Sequence, residues 1–113
     1  MRKVEIYERA LCCSTGVCGP SVDDDLVRTT NVEREVNEAS GDAEIIRYNL
    51  ASNPKAFAHK PEIKAILEKE KINGLPIIMI NGEIVKHGAY PSFEEFEEYT
   101  QMKLHHSMTV PED

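Results

Sequence analysis

The chain's three cysteines fall within seven residues, Cys12-Cys13-Ser14-Thr15-Gly16-Val17-Cys18. Thiolates are soft donors, so a cluster this dense reads as one trigonal site for a soft or borderline species such as As(III), Sb(III), Cu(I) or zinc. Three sulfurs with no evident fourth ligand favour an ion with a stereochemically active lone pair, bound as a trigonal pyramid, over tetrahedral zinc. Geometry disfavours a Cys12–Cys13 disulfide: neighbouring Cα atoms lie ~3.8 Å apart across a trans peptide, below the ~4.4 Å lower end for ordinary bridges. A pair that resists closing on itself can still clamp one large ion, and the second and third bonds gain from being intramolecular. His59, His87, His105 and His106 could in principle complete a three-cysteine, one-histidine zinc site. None stands at a ligand spacing from the cluster, so they read as surface or loop residues.

The elements that must position the cluster follow from pattern. Lys3, Glu5 and Tyr7 alternate with Val4 and Ile6 in a short first strand, and Glu8-Arg9-Ala10-Leu11 leads from it to the thiols. Ser21 is placed to cap a helix whose first turn carries Asp23, Asp24 and Asp25. Thr30 and Glu33 form a capping-box signature inside it, which predicts a kink or restart before Val36 and Ala39, with Gly41 as the stop. Ala43 to Leu50 is a β-branched second strand, expected in the same sheet. Pro54 to His59 makes a short helical turn, and Pro61 opens a second helix through Ile63, Ile66 and Leu67 that Asn73-Gly74 ends.

Leu75 to Ile80 and Glu83 to His87 flank Asn81-Gly82, a strong hairpin signal because both turn residues must take positive φ. A last helix runs from Ser92 through Phe93, Phe96 and Tyr99. The order β-α-β-α-β-β-α, with a central four-stranded mixed sheet, is that of a thioredoxin-like α/β domain. The likeness to thioredoxin-like folds implies a cis bond at Pro76, at the entry to a central strand; a trans proline that opens an edge strand is the alternative. Residues 1–106 are expected to form this domain, and 107–113 a polar tail.

Composition narrows the function classes. At 113 residues the chain makes one domain that needs no disulfide to fold. Its formal charge of −7 repels phosphate backbones as a whole. Arg2, Lys3 and Arg9 are the one candidate basic patch, and they read as scattered solvated charges. No apolar run approaches the ~20 residues of a membrane span, and the first residues carry no signal-like apolar region, which gives a cytoplasmic expectation. In that reducing compartment an odd set of three thiols is better explained by metal or redox chemistry than by a bridge.

With these residues in view, Cys12-Cys13-Ser14-Thr15-Gly16-Val17-Cys18-Gly19 after a short strand resembles the ArsD family of arsenical-resistance proteins. The likeness continues through Tyr48-Asn49-Leu50-Ala51, Gly74-Leu75-Pro76, Asn81-Gly82-Glu83 and Gly88-Ala89-Tyr90-Pro91. The resemblance implies a thioredoxin-like homodimer that takes As(III) or Sb(III) from glutathione and delivers it to the ArsA efflux ATPase, with no organic cofactor and no catalysis. It implies Cys12, Cys13 and Cys18 as the metalloid ligands, and a weak, inducer-released repressor role on operator DNA. Family members often carry further vicinal cysteine pairs near the carboxyl end, where this chain has His105-His106-Ser107-Met108. A glutaredoxin-like thiol oxidoreductase is the alternative from another class, and the missing Cys-x-x-Cys counts against it.

Overall fold

A computed structural model of the chain describes residues 2–9, 24–39, 41 and 43–104. Four strands, β1 (Arg2–Glu8), β2 (Ala43–Asn49), β3 (Ile77–Ile80) and β4 (Glu83–His87), form one mixed sheet in the order β2-β1-β3-β4. β1 and β2 are parallel, joined across α1 (Asp24–Glu38), while β3 runs antiparallel to both β1 and β4. Between β2 and β3 lie α2 (Pro54–Ala58), α3 (Pro61–Glu70) and a 3-10 turn over Lys71–Gly74, and α4 (Phe93–Thr100) closes the described chain. The expected element order is therefore present, with proline opening both α2 and α3, where its missing N–H leaves no helical bond unmade.

The two faces of the sheet bury separate cores. Val4, Ile6, Ile45 and Ile78 pack with Val32 and Val36 of α1 and Phe96 of α4. Tyr7, Ile77 and Met79 pack on the opposite face with Phe57 of α2 and Ile63 of α3. Because successive side chains along a strand alternate sides, β1 feeds both cores and is buried from Val4 to Glu8. Tyr7 stacks on Tyr48 at 4.9 Å and meets the edge of Phe57 at 5.4 Å, which fixes α2 against the sheet. The outer edge of β2 is covered in part by α1: Asn37 both donates to the Ile45 carbonyl and accepts from its N–H, at 3.0 and 2.8 Å.

The hairpin forms as expected, with Asn81 at φ 50° and Gly82 at φ 92°. The Leu75–Pro76 bond is cis, again as expected. Ser92 and Glu95 cap α4 reciprocally, side chain to backbone in each direction. Two expectations are corrected. The helix does not break at Thr30: α1 runs unbroken over 15 residues and ends at Glu38, short of Gly41. The strand signal at its start was also too short, since Glu8 is the last residue of β1 and not the start of the connection.

Candidate functional site: the carboxyl edge of the first strand

Cys12, Cys13 and Cys18, like Ser21, His105, His106 and residues 107–113, lie outside the described residues. The described structure contains the frame on which the cysteine-bearing stretch is hung: the chain leaves at Glu8-Arg9 and re-enters at Asp24, the first residue of α1.

That frame is built on a buried ion pair. The Glu8 carboxylate, its side chain 2 % exposed, accepts from Arg47 Nη2 at 2.6 Å and from Arg47 Nε at 3.0 Å, a two-point contact matching the planar guanidinium. The hydroxyl of Tyr90 donates to the same carboxylate at 2.7 Å. Arg47 Nη1 then reaches α1, donating to Thr30 Oγ1 at 3.0 Å and to Glu33 Oε1 at 3.4 Å. Thr30 and Glu33 are the residues whose spacing predicts a helix restart. Both have a tertiary partner instead, and the helix continues through them.

The electrostatics of the group favour one protonation pattern. Burial, together with the Glu8 charge and hydrogen bond, pushes the Tyr90 phenol far above its ordinary range, so it stays a donor. Burial opposes the charge on Arg47, but bonding to Glu8 and the nearby carboxylates outweigh it and raise its pKa further. Glu33 is raised above the usual carboxylate value because burial outweighs its attraction to Arg47. On the opposite face a second buried carboxylate, Glu5, accepts from the Tyr7 hydroxyl at 2.9 Å, and burial with that bond raises the Tyr7 pKa.

The turn after β4 completes the edge. Gly88, at φ 88°, takes the chain out of the strand, and its N–H donates to the Pro76 carbonyl at 3.0 Å. Tyr7 pairs with Ile77, so Pro76 stands at the same edge as the end of β1. Tyr90 then meets Glu8, and the Pro91 carbonyl accepts from Arg28 Nε of α1 at 2.8 Å.

Among the described residues no cluster of His, Cys, Asp and Glu could hold a metal ion. His59 is exposed beside α2, and His87 lies 3.6 Å from Glu70. Arg2 and Arg9 do not gather into a basic patch: they flank β1 at opposite ends, roughly 23 Å apart at the rise of a strand. Sequence reasoning missed Glu8, Arg47 and Tyr90 as a unit. A parity signal was available, since Glu8 follows Val4 and Ile6 at steps of two, and Arg47 follows Ala43 and Ile45.

A family model described as "Arsenical resistance operon protein ArsD" matches residues 1–113. The chain belongs to the ArsD family. Two Escherichia coli members, each named "Arsenical resistance operon trans-acting repressor ArsD", are 39 % identical over 105 residues and 34 % identical over 104. In both cases 92 % of this chain and 85 % of the relative are covered. The crystal structure of an arsenical resistance operon trans-acting repressor from Bacteroides vulgatus superposes with a TM-score of 0.83 at 30 % identity, covering 92 % of this chain and 96 % of that one. Among the described residues no helix is long and apolar enough to cross a membrane.

Proposed function

We propose that this ArsD-family chain is a non-enzymatic carrier of As(III) or Sb(III) that holds the metalloid through the thiolates of Cys12, Cys13 and Cys18. The observation that carries the reading is that the only three cysteines stand within seven residues, on the stretch between the buried end of β1 and the start of α1. Three thiolates match the charge and pyramidal preference of a trivalent pnictogen, and stepwise replacement of one sulfur at a time gives a route for uptake and release. Glutathione complexes are the proposed donor and the ArsA ATPase the proposed acceptor. X-ray absorption on arsenite-loaded protein tests the site: three sulfur neighbours are expected. Cys18→Ala should lose tight binding, and unchanged arsenite stoichiometry in that variant would reject the assignment.

The reading includes a thioredoxin-like fold, supported by the parallel β1-α1-β2 crossover, the antiparallel β3–β4 hairpin, the cis bond ahead of β3 and the closing helix. It also includes a homodimer in the cytoplasm and an inducer-responsive repressor role; the Escherichia coli relatives, known as trans-acting repressors of the arsenical resistance operon, support the repressor part alone. Charge distribution bears on the last point. α1 and α4 carry nine acidic residues against Arg28 and Arg34, a balance equal to the whole chain's −7. Lys55, Lys60, Lys64, Lys69 and Lys71 stand on the other side of the sheet with Glu62, Glu68 and Glu70. Phosphate contacts are therefore expected on the α2–α3 side, and a salt-dependent mobility shift on operator DNA that arsenite relieves would support the role. Absence of retardation at low salt would remove it.

A further inference from the structure

We propose that Asn81 is a site of spontaneous deamidation, and that the β3–β4 hairpin holds the reaction in check until its tip opens. The chain has two Asn-Gly dipeptides, Asn73-Gly74 and Asn81-Gly82, and isoleucine precedes the asparagine in both. Asn-Gly is especially prone to this chemistry because glycine, lacking Cβ, lets its peptide nitrogen reach the neighbouring side chain. The Gly82 nitrogen gives up its proton to solvent base and attacks Asn81 Cγ. That N–C bond forms, the carboxamide C–N bond breaks, and ammonia leaves. Water then opens the five-membered imide at one carbonyl or the other, to aspartate or to isoaspartate. The net change is amide plus water to acid plus ammonia, with nothing oxidised or reduced.

The fold separates the two sites. Asn81 stands at φ 50°, in the left-handed region where ψ is about +47°. That ψ sets the Gly82 nitrogen nearly opposite Cβ across the Cα–C bond, whereas ring closure needs the two on one side. The carboxamide is held as well: Oδ1 accepts from the Lys3 N–H at 3.0 Å, beside the bond from the Asn81 N–H to the Lys3 carbonyl at 3.1 Å. Attack therefore requires the tip to turn over and release Lys3, and Lys3, Asn81 and Gly82 are all exposed. Asn73 is exposed too, but Gly74 is buried, and a Cβ on it would lie 2.7 Å from Ile66 Cγ2 and 3.2 Å from Glu70 Cβ. Turning that peptide over would pull on Leu75, which is 7 % exposed and part of the core beneath α2 and α3. Opening free energies run from near zero at exposed tips to the global value in packed segments, so the folded chain reacts first at Asn81.

The two products differ in effect. Aspartate tolerates positive φ and keeps an oxygen for the Lys3 N–H, so it preserves the turn. Isoaspartate adds a methylene to the main chain, which a two-residue turn cannot absorb, and it unpairs β4 from Ile80 and Glu83 outward.

The test incubates the full-length, unmodified protein at neutral pH under reducing conditions, folded and in denaturing urea, and follows both asparagines by peptide mapping with mass spectrometry. Each folded rate is read against the same site's rate in urea, which removes any intrinsic difference between the two dipeptides. Folding should slow conversion at Asn81, and should slow it at Asn73 by at least about tenfold more. Folded and urea rates that coincide at Asn81 would overturn the check exerted by the turn. Equal slowing at the two asparagines, greater slowing at Asn81, or no conversion at either in the folded protein while the urea samples convert, would overturn Asn81 as the site.

Discussion

Replacing Glu8 with Gln is the sharpest probe of the frame, because it changes charge with almost no change in shape. Glu8 and Arg47 side chains are 2 % and 8 % exposed, so water cannot take over when the pair is broken. The amide oxygen of a glutamine in the Oε1 place can keep the bonds from Arg47 Nη2 and Tyr90, and in the Oε2 place the bond from Arg47 Nε, but in either orientation its NH2 group faces a guanidinium N–H, another donor. Arg47 is left with Thr30 and the more distant Glu33 at 3.4 Å as its charge partner. Removing one member of a buried pair leaves an uncompensated charge and typically costs 3–5 kcal/mol. Since Glu33 retains part of the compensation, the expected loss is about 3 kcal/mol. Urea unfolding followed by circular dichroism reads this directly: at m of ~2 kcal/mol/M the midpoint should fall by roughly 1.5 M with m unchanged. Exchanging the three central members for apolar residues, Glu8→Leu with Arg47→Met and Tyr90→Phe, should recover part of the loss, because carboxylate, guanidinium and phenol leave together and only the half-buried Thr30 and Glu33 lose a partner. A midpoint shift below about 0.5 M for Glu8→Gln, or a triple variant worse than the single one, would refute the account.

Other perturbations follow from the same geometry. Gly74→Ala would place a methyl 2.7 Å from Ile66 Cγ2 and 3.2 Å from Glu70 Cβ, so a loss of about 1–3 kcal/mol in urea titrations is expected from overpacking. Ser92→Ala removes the side-chain acceptor for the Glu95 N–H and should cost about 1 kcal/mol, seen as a lower thermal midpoint. Two glutamates give opposite pH signatures. Bonds from the Ser92 backbone N–H and Lys86 hold Glu95 below the usual value of 4.5, so its contribution is present above that pH and fades as pH falls through the lowered pKa. The stability gap between the unmodified protein and Glu95→Gln should therefore close on acidification, and it should be small at every pH because the pair is solvated. Glu33 is raised above 4.5, so it penalises the fold at neutral pH and the penalty lifts as pH falls toward that value. Relative to Glu33→Gln, the unmodified protein should gain stability from pH 7 toward 4.5, and a gap that moves the other way would rule this out.

The parts of this fold governed by local backbone chemistry were legible in the sequence. Asn81-Gly82 demanded a tight hairpin, Pro61 opened α3, and Pro76 stood where a cis bond sits. The misreadings share one cause, a distant partner that no local pattern contains. Thr30 and Glu33 spell a helix start by their spacing, yet both turn to Arg47, 17 and 14 residues away in sequence. Glu8 reads as the start of the connection until Arg47 and Tyr90, 39 and 82 positions distant, offset the cost of burying it at the end of β1. The candidate site divides the same way. The three clustered thiols are a reading from residue type that lies outside the described residues, while the buried group around Glu8 was readable only once the chain was folded.

The separation of charge between the two sides of the sheet has its own consequence. The sheet and its two buried cores stand between α1 and α4 on one side and α2 and α3 on the other, and the field of exposed charges is screened over ~8 Å in physiological salt. A partner approaching one of these faces is thus largely shielded from the other, and feels the local polarity instead of the overall formal charge. Such a separation is a dipole across the sheet, which turns the molecule during a diffusive encounter before any contact is made. Dilution of the buffer should then speed association with basic and acidic partners alike, each meeting its own side.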